Sequence, residues 1–194
     1  MKLAHIALML VLWALSGPAS YAAGDWQAYD QEGEAKYKAH DYAESEVLLR
    51  KAVQAAQAEN SQAGLDKSLS DLGWLYTDQK RFADAEPIYN QFLQVRLKAF
   101  GATSMKTETA YRLLGNDQHA EGKNPAALTN LLEALKIVEQ QPATDATNDE
   151  LMGVLKNIAV VYKAEGNTTE YQAYSQRAQT LAFQYLQGKH FGNR

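Results

Sequence analysis

Cysteine is absent from the 194 residues. Its absence excludes disulfides, thiolate metal sites, cysteine nucleophiles and lipid attachment through a thiol. A basic excess is also missing. The 19 Lys and Arg stand against 23 Asp and Glu, for a formal charge of −4, and no basic stripe of the kind that tracks nucleic acid is present. The apolar run Ile6 to Leu15 is about half of the roughly 20 residues that crossing a bilayer takes. Histidine is sparse: beyond the first 22 residues stand His40, His119 and His190, none in an H-E-x-x-H or similar spacing. No G-x-S-x-G motif or phosphate-binding glycine loop occurs. The acidic stretch Asp145 to Glu150 lacks the glycine and ligand spacing of a calcium loop and reads as a solvated connector, whose Thr147 and Asp149 help to start a helix. The chain reads as non-enzymatic, with no cofactor and no metal.

Residues 1–22 form a unit apart. Lys2 supplies a positive start, Ile6 to Leu15 the apolar run, Gly17-Pro18 a break, and Ser20-Tyr21-Ala22 small residues at the −3 and −1 positions of a cut. These are the parts of a cleaved secretory signal peptide. The expectation is a periplasmic or secreted protein without stable membrane insertion, whose formal charge moves from −4 to −5 once Lys2 is removed.

What the rest of the chain has is a period. In Leu69 to Val95, Leu69, Leu72, Gly73 and Tyr76 lie on one helical face, and Phe82, Ala85, Ile88, Tyr89 and Phe92 on another, across a break at Gln79 to Arg81. Such a pair cannot bury both stripes alone and needs neighbours. Gly33, Gly73, Gly115 and Ala159 recur at spacings of 40, 42 and 44 residues. Turn positions follow at His40, Lys80, Gly122 and Gly166, then second-helix positions at Ser45, Ala85, Ala127 and Tyr171, and at Ala52, Phe92, Ala134 and Ala178. Small residues are expected where two helices joined by a tight turn approach closely, with Tyr76 and Tyr162 filling the space beside the contact.

The division is helix, turn, helix, four times over, in repeats near 26–59, 66–99, 108–141 and 152–187 of a 25–187 domain, with 188–194 as a C-terminal tail. Asn124-Pro125 reads as a cap followed by proline at the first helical position. Gly166 reads as a helix end, with Thr168 capping the next helix. The connectors Glu59 to Gly64, Gly101 to Ser104 and Gln141 to Asn148 are polar and rich in turn formers. Pro87 falls inside a helix whose apolar pattern runs straight through it, so one helix with a bend is expected.

On Leu69, Leu72, Gly73, Tyr76, Phe82 and the run Ala85-Glu86-Pro87-Ile88-Tyr89, together with the ending Arg96 to Gly101, the chain resembles tetratricopeptide repeat proteins of the kinesin light chain type, with a period of roughly 42 residues. The third copy carries the pattern at Leu114, Gly115, Gly122, Ala127 and Ala134. The resemblance implies an all-α, right-handed α-solenoid whose first helices line a concave groove. It places Tyr37, Lys38, Ser70, Trp74, Asp78, Arg112, Asn116, His119, Lys156, Asn157, Val160 and Lys163 on that surface. Arg112 and Asn116, one turn apart, with Asn157 on the next repeat, are similar to the clamp by which some repeat domains hold a carboxylate tail, and Lys156 and Lys163 add positive charge. Two further basic residues of that clamp would come from a fifth repeat, which this sequence does not contain. A merely solvated groove is the alternative. Trp74 reads equally as half-buried packing or as an anchor for a partner.

The function expected is a non-enzymatic protein–protein interaction module that binds a protein or peptide in its groove, with no nucleic acid. On this reading, Arg112→Glu with Asn116→Ala abolishes capture and leaves melting unchanged. The alternative is a self-associating scaffold or assembly factor of the cell envelope, a homo-oligomer joined through the end of the last helix at Phe183, Tyr185 and Leu186.

Overall fold

The computed structural model describes residues 25–191, and the side chains among them except those of Leu186 and of residues 188–191. The expected signal peptide and the end of the tail lie outside the described residues, as do the side chains of Leu186 and His190.

Eight helices follow one another, with no strand among the described residues. They are α1 Trp26–Lys38, α2 Tyr42–Ala58, α3 Gln62–Asp78, α4 Phe82–Phe100, α5 Met105–Ala120, α6 Asn124–Glu139, α7 Asp145–Ala164 and α8 Thr168–Phe191. Each packs on its neighbours in sequence, giving four helix pairs stacked into an all-α solenoid. The first helices of successive pairs also meet, α1 on α3 and α5 on α7, whereas no two second helices pack to that extent. The stack is therefore tighter on the side of the first helices, which makes that side concave.

The turns within the pairs are built alike. His40, Lys80, Gly122 and Gly166 all take left-handed backbone, with φ of 61°, 58°, 86° and 72°. After each, an N–H reaches back to close the helix: Asp41 to the Lys36 carbonyl, Arg81 to Tyr76, Lys123 to Gln118, and Asn167 to Tyr162, all within 2.8–2.9 Å. This is the double closure in which a left-handed residue satisfies the last free carbonyls of a helix. The first and second pairs are joined by the same device at Asn60.

Close approach of paired helices sets the small positions. A Cβ on Gly73 would lie 2.5 Å from the Tyr89 ring, and one on Gly115 would lie 2.8 Å from Leu131 and 3.1 Å from the Ala127 carbonyl. Ser45, small and buried, turns its hydroxyl onto the Gly33 carbonyl at 2.8 Å. Leu69, Leu72, Tyr76, Tyr89 and Phe92 form the centre of one core cluster, and Leu131, Val154, Leu155 and Ile158 that of a second.

Four local expectations are corrected. The connector after α2 ends at Ser61, whose hydroxyl accepts from the Gly64 N–H at 3.0 Å, so Gly64 is already helical. The acidic stretch from Asp145 is helix, not connector: Thr144 and Thr147 form a reciprocal capping box that starts α7 earlier than the run of charge suggests. Lys123 holds the cap position of α6, and Asn124 is the first helical residue, its side chain drawn away to His119 and Glu165. Asn167, not Thr168, caps α8, accepting from the Glu170 N–H at 3.2 Å. Pro87 is the sixth residue of α4, which continues through it to Phe100.

Ion pairs between repeats recur in register. Glu46 stands thirteen residues past Gly33, and Glu86 thirteen past Gly73. Each meets a cation eight residues past the next small position: Arg81 at 2.5 Å from Glu46, and Lys123 at 2.6 Å from Glu86. Each also accepts from the residue three past that position, Tyr76 and Gln118 respectively, at 2.9 Å. Leu128 and Asn167 stand at the corresponding places of the next pair, and the device stops there.

Candidate protein-binding groove

Of the residues placed on the concave side, those in the first two pairs converge. Glu34, Tyr37 and Lys38 of α1, Leu49 of α2, and Lys67, Asp71 and Trp74 of α3 line a pocket of about 340 Å³. Leu49 is a buried apolar residue, while Trp74 is 53 % exposed, the largest aromatic surface on the groove side among the described residues. Burial, and after it the nearby Asp78 carboxylate, push the Tyr37 phenol up from its ordinary value. Lys67 gathers three carboxylates: Asp71, Asp30 at 3.0 Å and Glu34 at 3.8 Å. Lys38 takes the other side of Glu34 at 2.7 Å.

The residues of the expected carboxylate clamp are arranged otherwise. Arg112 lies 2.7 Å from Glu150 of α7 and 3.3 Å from Glu108 one turn back on α5. Glu108 is fully buried, and burial, then the charge of Glu150, push its carboxyl well above the ordinary value. Arg112 is thus the cation of a half-buried cluster between the third and fourth pairs, and a ligand carboxylate would have to compete with two internal ones. Asn116 and Asn157 are half-buried, and Lys156 and Lys163 are exposed. Lys163 lies 5.7 Å from the centre of the Tyr171 ring. His119 faces Asn124 at 2.8 Å, and Asn124 donates to Glu165 at 2.7 Å, so this histidine ties a turn of the third pair to the fourth.

Sequence reasoning missed the buried acids. Asp30, Glu108 and Asp117 are all but fully enclosed. Asp117 accepts from the Thr77 hydroxyl at 3.3 Å, and burial, followed by the charges of Glu121 and Glu86, pushes its carboxyl up to about 7. The signal was present in part: Asp30 and Glu34, Lys67 and Asp71, and Glu108 and Arg112 are each four residues apart on one helix face.

Among the described residues, no group of three or more His, Cys, Asp or Glu could hold a metal ion, and no helix is long and apolar enough to cross a membrane. A helical solenoid whose inner face carries an open pocket belongs to the class of repeat scaffolds. The tetratricopeptide repeat family model matches residues 27–98 and 76–140, more than half of the chain, and the chain belongs to that family. BtubC of P. vanneervenii is similar at 17 % identity with a TM-score of 0.75, over 82 % of this chain, which spans 64 % of BtubC. A kinesin light chain-like protein of Podosopora anserina with nearly identical TPR-like repeats is similar at 14 % identity and a TM-score of 0.73, over 93 % of this chain and 85 % of that one. MamA from RS-1 is similar at 13 % identity and 0.64, over 91 % and 83 %. These likenesses show the fold. A search among curated proteins gives no match. Tetratricopeptide repeats generally mediate protein–protein interaction and are typically non-enzymatic.

Proposed function

We propose that the protein is a non-enzymatic interaction module that holds a protein or peptide partner in its concave groove, in an exported, periplasmic or secreted protein. The observation that carries this reading is Trp74. A tryptophan left 53 % exposed on the inner face, beside a pocket of about 340 Å³, is costly to keep in water and is the residue type most enriched at binding hot spots. Export rests on the pattern of residues 1–22.

The engagement of Arg112 with Glu108 and Glu150 moves the weight of the site from the carboxylate-clamp positions to the α1–α3 end. Against self-association through α8 stands its composition. Its exposed residues include Gln172, Gln176, Arg177, Gln179 and Thr180, and among the described side chains of this helix Phe183, at 62 %, is the exposed large apolar one. A polar outer face suits a repeat that ends a stack in solvent.

The test is capture with purified protein as bait, wild type against Trp74→Ala. Loss of the same bound species in the variant, with circular dichroism unchanged, supports the groove. Identical capture by both moves the site elsewhere.

A further inference from the structure

We infer that the α1–α3 pocket takes an arginine side chain of the partner, its guanidinium against Trp74 and the carboxylates of Glu34 and Asp71. The inference rests on the groove reading and names the chemistry that would fill it.

Charge is the first ground. Three carboxylates stand at the pocket: Glu34 and Asp71 in its lining, and Asp30 beside Lys67. Two ammonium groups oppose them, Lys38 and Lys67. Lys67 is shared among three acids and Lys38 is bound to Glu34, so neither cation is left over for an anionic ligand.

Asp30 and Asp71 remain under-compensated even so, whereas Lys38 and then Lys67 hold the Glu34 carboxyl below its ordinary value. Asp30 is 2 % exposed, with one oxygen on Lys67 and the other, Oδ1, buried without a hydrogen-bond partner. Asp71 touches Lys67, yet burial first, and then the charges of Asp30 and Glu34, hold its carboxyl above the ordinary value. A further cation relieves that repulsion, whereas a purely apolar occupant would desolvate the carboxylates with nothing in return.

Shape selects among cations. The pocket combines the Trp74 and Tyr37 rings and the Leu49 side chain with acids at its edge. Guanidinium is planar and weakly hydrated. It can lay a face on an aromatic ring while its N–H fork meets carboxylates, which an ammonium group does less well. The volume suits one long side chain rather than a folded element.

The probes are N-acetyl-arginine amide and its neutral isostere N-acetyl-citrulline amide, followed by the indole N–H signals of Trp74 and Trp26 in ¹⁵N-labelled protein. Trp26 packs where a Cβ on Gly64 would touch it at 2.8 Å and serves as the internal control. The expected result is a saturable shift of Trp74 alone by the arginine probe, with the citrulline probe about tenfold weaker. Asp71→Asn and, independently, Glu34→Gln should each weaken the arginine response severalfold while the Trp26 signal stays in place. An equal response to citrulline, no saturable response, or a preference for N-acetyl-glutamate amide overturns the inference. If Trp74→Ala abolishes partner capture while the arginine probe shows no selectivity, the inference falls and the groove reading stands. If the probe seats selectively while capture ignores Trp74, the pocket stands and the groove reading falls.

Discussion

Arg112 on α5 reaches Glu150 on α7 at 2.7 Å while holding Glu108 on its own helix at 3.3 Å. One guanidinium therefore balances two acids across the junction of the third and fourth pairs. Removing it leaves Glu108, fully buried, beside the Glu150 carboxylate with a Thr109 hydroxyl at 3.4 Å in place of the cation. Arg112→Ala should cost about 1–3 kcal/mol, below the range for a wholly enclosed pair because Arg112 keeps 26 % of its side chain exposed. Urea unfolding followed by circular dichroism measures it. Arg112→Glu should cost more, so the double change Arg112→Glu with Asn116→Ala would lower melting as well as any capture, contrary to the expectation from sequence.

Gly73 and Gly153 make a matched pair of helix-interior glycines with opposite surroundings. A Cβ on Gly73 runs into the Tyr89 ring at 2.5 Å, whereas one on Gly153 meets nothing within 4 Å. Gly73→Ala should destabilise by about 1–3 kcal/mol through overpacking. Gly153→Ala should stabilise by up to about 1 kcal/mol, the ordinary gain of alanine over glycine inside a helix. Chemical denaturation of both variants at one pH decides it.

Asp117 should make stability fall as pH rises. Its carboxyl is pushed up from 3.8 to about 7, by burial first, so the folded protein binds this proton more tightly than the unfolded chain. The contribution is full below the ordinary value and is lost as pH climbs through about 7. Burial raises Glu108 in the same direction. Asp117→Asn keeps an acceptor for Thr77 and removes the buried charge. It should raise stability by about 1 kcal/mol near pH 8 and change little near pH 4. Melting temperatures across that range, wild type against variant, are the check.

What the sequence made legible is what short stretches decide. His40, Lys80, Gly122 and Gly166 were identifiable as turns by spacing alone, and all four take left-handed backbone. Gly73 and Gly115 were identifiable as contact points, because close packing of two joined helices needs small residues a fixed distance from the turn. The chemistry of the groove was less legible. Trp74 and Asp78 could be singled out, but the Lys67 cluster brings α1 and α3 together across more than thirty residues. Arg112 finds Glu150 at a comparable separation. Spacing on one helix shows which side chains share a face; it does not show which acid or base the next repeat brings opposite. Arg112 read as a free cation for that reason. The acidic run from Asp145 read as connector because its charges drew attention from the Thr144 and Thr147 capping box.

The central claim is that the partner sits on the first-helix side, at the α1–α3 end. The most direct measurement is quantitative capture by three forms of the protein: wild type, Trp74→Ala on the inner face, and Val47→Glu on α2, where Val47 is 45 % exposed. The expected result is that Trp74→Ala loses the bound species while Val47→Glu retains it, with all three equally helical. Retention by Trp74→Ala and loss by Val47→Glu would contradict the account.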